Sequence, residues 1–309
     1  MSGPRTLRVA MSDGRVLHAR AWGPETGSPV CIMLHGLGDS SWVWNKAADS
    51  LHARFRVLAP DLPGHGDSSW RQDGSYAVEE VANDLLQFAE RLDARRAVLV
   101  GHSWGGQLAI ELAASSAMEP SALVLVDSGP ELDSAALAFS AQAYEAAHCL
   151  YASVAEFQDV LASVRPWASP SLLADFAAQL LQRSGAGWRL RSDPCVCQGI
   201  DVGHPQVIER LWNLAARQVW PTRVLRGASS GFIRPTLAER IARSVPHCDV
   251  TTLEGGHALM LDNSSAFAEA LLDFLRDLPE ATGTADDVSC PDADPLPIVP
   301  RRPCHEEAR

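Results

Sequence analysis

The sequence predicts a three-layer α/β fold: a mostly parallel sheet with an inserted helical cap. Three observations carry that expectation. Short apolar runs alternate with segments of helical spacing, and strands joined by helical crossovers lie parallel between helical layers. The alternation stops over residues 131–220 and resumes at Thr222, so a helical insertion interrupts it. The apolar run at 97–100 meets Gly101-His102-Ser103-Trp104-Gly105 and continues into a helical pattern over 107–114, which is Gly-x-Ser-x-Gly in strand–turn–helix context.

Taken in order, residues 7–10 and 16–21 flank Asp13-Gly14 and alternate in polarity, the pattern of a hairpin. The continuous apolar run 30–34 suits a strand covered on both faces. It ends in His35-Gly36-Leu37-Gly38-Asp39, and a helix follows with Trp42, Trp44 and Leu51 among its apolar positions. A short strand at 55–59 runs into the turn-rich Asp61-Leu62-Pro63-Gly64-His65-Gly66-Asp67-Ser68. Val78, Val81, Leu85, Phe88 and Leu92 share one helical face. After the Ser103 turn and its helix, a strand at 122–126 ends in Asp127-Ser128-Gly129-Pro130.

Residues 131–220 show no convincing strands and are rich in Ala, Leu and Gln at helical spacing. Their aromatics, Phe139, Tyr144, Tyr151, Phe157, Trp167, Phe176, Trp188 and Trp212, are expected mostly to fill the insertion's own core, with a few left over for a pocket. The α/β pattern then resumes with a strand at 222–227, a helix at 237–244, a strand at 249–253, Glu254-Gly255-Gly256-His257, and an amphipathic helix over 265–278. The expected organisation is a core of 1–130 and 221–279, a cap of 131–220, and a disordered tail over 280–309, which holds five prolines.

Composition narrows the partners. At 309 residues the chain can bury a large core. A net charge of −12 argues against nucleic acid or an anionic membrane surface. No run of about 18 apolar residues is present, and Met1-Ser2-Gly3-Pro4-Arg5 lacks an apolar signal region, so a cytoplasmic protein without a membrane span is expected. The seven cysteines are odd in number and scattered, which suits reduced thiols better than a disulfide framework, and no metal or cofactor motif is evident. A small-molecule substrate, largely apolar given the cap, remains the expected partner; oligomeric state is not legible.

The Gly-x-Ser-x-Gly pattern has a chemical reading. A serine on a tight strand-to-helix turn stands clear of the sheet, and Gly101 and Gly105 leave room for that turn. The helix that follows aims backbone N–H groups at the same spot. Ser103 is therefore a candidate nucleophile, and an unassisted hydroxyl needs a base within hydrogen-bond reach.

Four motifs, each directly after a strand, resemble the α/β-hydrolase superfamily in type and order: His35-Gly36, the 61–68 turn, the 101–105 elbow and Gly255-Gly256-His257. The resemblance covers the chain to about Pro279 and implies a serine hydrolase without metal or cofactor. It makes His257 the base. It builds the oxyanion hole from the backbone N–H of Trp104 and of Leu37, with Gly36 and Gly38 competing for the latter role. The family usually carries its acid after the seventh strand, but residues 226–234 contain no carboxylate. A branch that includes haloalkane dehalogenases and some thioesterases and lactonases places the acid after the sixth strand, where this chain has Asp127; Glu131 is the alternative. Ser at 103, rather than Asp, excludes dehalogenation. The implied reaction is hydrolysis of an ester, lactone or thioester. Carbon–carbon bond hydrolysis of the meta-cleavage-product type, a lyase or cyclase using the same triad, and a binding module on this fold are the competing readings.

Overall fold

The computed structural model describes residues 3–276 and Leu278. The expected disordered tail over 280–309 lies outside the described residues.

Strands β1 (Arg5–Ala10), β2 (Val16–Trp22), β3 (Val30–Leu34), β4 (Arg56–Pro60), β5 (Ala97–His102) and β6 (Ala122–Val126) precede the insertion. The insertion contributes a separate hairpin, β7 (Leu181–Ser184) and β8 (Gly187–Leu190). Strands β9 (Thr222–Gly227) and β10 (Cys248–Leu253) complete an eight-stranded sheet of order β1-β2-β4-β3-β5-β6-β9-β10. β1 and β2 pair antiparallel, as do β2 and β4, and every other pair in the sheet is parallel.

The central strands are apolar throughout because both faces are covered. Along β5, Ala97 and Leu99 face one apolar cluster, and Val98 and Val100 face the other. This period-two alternation is what splits the core into two layers. After the short helix α1 (Asn45–Leu51), α2 (Val78–Arg91) buries Val78, Val81, Leu85 and Phe88 on the first face. Full burial of a phenylalanine such as Phe88 contributes about 1.5–3 kcal/mol. Glu79 and Glu80 in its first turn suit the positive end of the helix dipole. Helix α3 (Trp104–Ala113) packs beside it.

Between β6 and β9 run α4 (Ser134–Ala147), α5 (Val154–Val164), α6 (Pro170–Leu180), α7 (Val196–Gly199) and α8 (Pro205–Ala215). Asp133, Ser153 and Ser169 cap the first three through side-chain oxygens. The β7–β8 hairpin corrects the reading of this segment as strand-free. Its strands are four residues long and half polar, too short to show a period, and Tyr151 bridges to Trp188 beside them. Tyr151, Phe157 and Phe176 bury into the second cluster, while Phe139 and Trp167 are exposed. Helix α9 (Pro235–Ser244) lies between β9 and β10, and α10 (Leu259–Asp262) and α11 (Ser264–Arg276) follow the last strand.

Among the described residues, no helix is long and apolar enough to cross a membrane.

Candidate active site

The site is assembled at the carboxyl ends of β3, β5, β6, β9 and β10, as expected for an open parallel sheet. Ser103 sits between β5 and α3 with φ 54° and ψ −122°, a left-handed-side conformation costly for a side chain with a Cβ. Neighbours hold it there: Ser103 N–H donates to Val126 O at 3.1 Å, and Ser128 Oγ donates to Ser103 O at 2.6 Å. The turn needs its glycines, because a Cβ at Gly101 would stand 2.3 Å from Gly105 O and one at Gly105 2.3 Å from Leu34 O.

Asp127 also has positive φ, 45°, and is fully buried. Its Oδ1 accepts from Gly227 N–H at 3.0 Å, and its Oδ2 accepts from Ser230 Oγ–H and from His257 Nδ1–H, the latter at 2.6 Å. His257 and Asp127, 130 positions apart in sequence, thus come together. Glu131 points elsewhere: it accepts from Trp212 Nε1 at 3.1 Å and pairs with Arg240 at 2.6 Å. The ring of Phe232 lies flat on the His257 imidazole, centroids 3.6 Å apart. Among the described residues no hydrogen bond joins Ser103 Oγ to that imidazole, a looseness common before substrate is bound.

Leu37, Ser103 and Trp104 share the wall of one cavity of about 240 Å³. Among the described residues neither Leu37 N–H nor Trp104 N–H donates to a protein acceptor, whereas Gly38 N–H donates to His65 Nε2 at 3.1 Å. Gly38 is therefore engaged and cannot serve an oxyanion in this arrangement. His35 Nε2 in turn accepts from Leu62 N–H at 2.9 Å, so two buried histidines brace the loops after β3 and β4. Each donates through Nδ1 to a carbonyl and accepts at Nε2, which requires a neutral ring. Burial, and then repulsion from His35, pushes His65 down to about 3; burial lowers His35 as well.

The rest of the cavity wall is apolar or small: Leu132, Leu137, Ala138, Ala141, Ile200 and Val202, with Phe232 beside the imidazole. Among the described residues, no charged side chain lines it, and none of the insertion's aromatics does.

A family model described as alpha/beta hydrolase fold matches residues 29–264. The chain belongs to the alpha/beta hydrolase family. It is 27% identical over 276 residues to a 3-hydroxybutyrate-oligomer hydrolase of Cupriavidus necator, covering 83% of this chain and 93% of that one. Over 109 residues it is 42% identical to the magnesium-chelatase 30 kDa subunit of Rhodobacter capsulatus, which covers 34% of this chain and 38% of that one; three uncharacterised mycobacterial relatives are matched over 36% of their length. Among solved structures, a Mycobacterium tuberculosis esterase superposes with a TM-score of 0.72 at 27% identity, covering 89% of this chain and 92% of that one.

Within this alpha/beta hydrolase, the loop after β9 carries no acid, yet it is part of the site. Gly227 and Ser230 hold the Asp127 carboxylate, and Phe232 stacks on the imidazole. The sequence shows only that this loop lacks a carboxylate, not that it supports one. Ser230, three positions before the apolar Ile233, carries no local signature of such a role. His102, which flanks the elbow and is expected to point away from the pocket, is buried with Asp39 beside the His257 loop, and the sequence carries no signal of either contact.

Proposed function

We propose that this chain is a serine hydrolase that cleaves a small, uncharged carboxylic ester, thioester or lactone through an acyl-enzyme on Ser103. The observation that carries the reading is the Asp127–His257 hydrogen bond at 2.6 Å beside a strained serine turn that opens into an apolar cavity. Ser103 Oγ attacks the carbonyl carbon as His257 Nε2 takes its proton. Leu37 N–H and Trp104 N–H hold the oxyanion. His257 returns the proton to the leaving oxygen or sulfur, and the C–O or C–S bond breaks. Water, activated by the same nitrogen, then releases the acid. Asp127 keeps the imidazole in the Nδ1–H tautomer and stabilises its cation.

The cavity supports the substrate class. Its volume of about 240 Å³ lies below the roughly 300–1,000 Å³ usual for ligand pockets, and it offers no cation to a carboxylate. Short acyl groups fit that space better than long or anionic ones. Names of relatives, hydrolase and esterase among them, agree with the reaction class.

The test is a series of p-nitrophenyl esters from acetate to laurate, with a succinate monoester as the charged control. Turnover should peak among the short uncharged acids and fall at laurate and at the succinate ester. Ser103→Ala should abolish turnover and fluorophosphonate labelling while thermal unfolding stays cooperative. Retained turnover in that variant would remove the proposal. Product analysis separates hydrolysis from lyase or cyclase chemistry, since only hydrolysis incorporates water oxygen into the acid.

A further inference from the structure

His102 lies beside the nucleophile in sequence but its side chain faces the opposite way, into a buried seam. Its Nε2 sits 3.0 Å from the backbone carbonyl of His257, and the two imidazole centroids are 4.5 Å apart. A carbonyl only accepts, so Nε2 carries the proton and donates. The other edge of the ring presses on the loop after β3: a Cβ at Gly36 would stand 2.8 Å from His102 Nδ1. Asp39 Oδ2 packs 3.5 Å from the same Nδ1, both atoms buried and neither with a hydrogen-bond partner among the described residues, and Asp39 Oδ1 pairs with the Arg165 guanidinium, which comes from the end of α5 in the insertion. Asp39 and His102 are 1% and 2% exposed. One ring therefore touches the loop with the oxyanion donor Leu37, the loop with the base, and, through Asp39, the insertion above them.

A buried histidine is commonly a satisfied core residue. Here the partner it satisfies is the main chain of the candidate base itself, and the charge behind it comes from a different structural layer. We infer that His102 is a positioning residue, which fixes the His257 loop relative to Ser103, and that Arg165, through Asp39, makes this placement depend on how the insertion is seated. The inference rests on the proposed hydrolase reading. It extends that reading by giving the insertion a role beyond lining the cavity: a displaced insertion withdraws Arg165, frees Asp39 and His102, and lets the base drift from the nucleophile. Misplacement of a catalytic group by about 1 Å can cost on the order of 100-fold in rate.

The experiment compares His102→Ala, His102→Gln, Arg165→Met and the His102→Ala/Arg165→Met double variant. Two readouts are used: ester kinetics with the best p-nitrophenyl substrate, and the rate of fluorophosphonate labelling at Ser103. His102→Ala should lower kcat and the labelling rate by about 10- to 100-fold with KM near the parental value. Gln places an amide N–H where Nε2 stood and should restore most of the rate. Arg165→Met should give a smaller loss of the same kind. Because both residues act along one chain of contacts, the double variant should be no slower than His102→Ala alone. Multiplying losses, an effect on KM alone, failure of Gln to restore the rate, or parental labelling by His102→Ala would each overturn the inference while leaving the hydrolase reading intact. If His102→Ala fails to fold, His102→Leu, which fills the space but donates no hydrogen bond, takes its place: a His102→Leu/Arg165→Met double variant no slower than His102→Leu supports the chain, and multiplying losses overturn it. A parental protein that does not label at Ser103 removes the hydrolase reading itself and this inference with it.

Discussion

At the scale of single residues, the candidate acid of the proposed triad is the position most exposed to test. Asp127 accepts three hydrogen bonds in a fully buried site, one of them from the imidazole, while Glu131 is committed to Arg240 and Trp212. Asp127→Asn should leave the fold intact and lower kcat by about 10⁴-fold, because the amide favours the wrong imidazole tautomer. Glu131→Gln should change kcat by less than about threefold, since it touches neither Ser103 nor His257. Steady-state kinetics on one ester checks both, and the reverse ranking would move the acid to Glu131. Ser103, His257 and Asp127 stand out in the sequence as candidates because each follows a strand in a short motif that resembles the family's. Ser230, Asp39 and Arg165 do not, because their roles depend on partners 103, 63 and 126 positions away or more loosely on packing that has no local pattern.

At the scale of elements, the strand–turn–helix of β5 and α3 has no spare room. Gly105→Ala would drive a methyl into the Leu34 carbonyl, a backbone atom that can yield only by shifting β3, and should cost about 3 kcal/mol or more. A urea midpoint unchanged from the parent would contradict that packing. Helix α4 places Leu137, Ala138 and Ala141 over the cavity. Replacing Ala141 by Phe should fill it, raising KM for hexanoate far more than for acetate while the labelling of Ser103 persists. Long periodic elements such as α2 were readable because seven buried positions repeat on one face. The β7–β8 hairpin escaped because four residues per strand give no repeat to read. The cavity escaped for a different reason: it is shared by α4, the segment around Ile200 and the loop after β9, which only the tertiary fold brings together.

At the scale of the whole molecule, buried titratable groups tie stability to pH. His65 is held near 3 in the fold by burial and by His35, against 6.5 unfolded. Between those values the unfolded chain binds a proton that the native ring refuses. Stability is therefore complete above pH 6.5 and is lost as the solution is acidified toward 3, by about 1.4 kcal/mol per pH unit for one such ring. Asp39 adds to the loss lower down. Burial opposes its ionisation, but Arg165 and His102 outweigh burial and bring its carboxyl to about 2, so its contribution disappears as pH falls through that range. Urea midpoints should fall between pH 7 and pH 5, and His65→Gln should flatten that slope; a midpoint independent of pH would show that the ring is protonated in the native state. The three-layer arrangement follows from features the sequence displays, while the seating of the insertion on the core through Arg165, Tyr76 and Trp42 does not.

Ser230 and His257 meet on the same oxygen of Asp127, although they stand on loops after β9 and β10. The orientation of one imidazole is thus held from two neighbouring strands at once, and a side chain at 230 reaches the ring without touching it, by way of the oxygen they share.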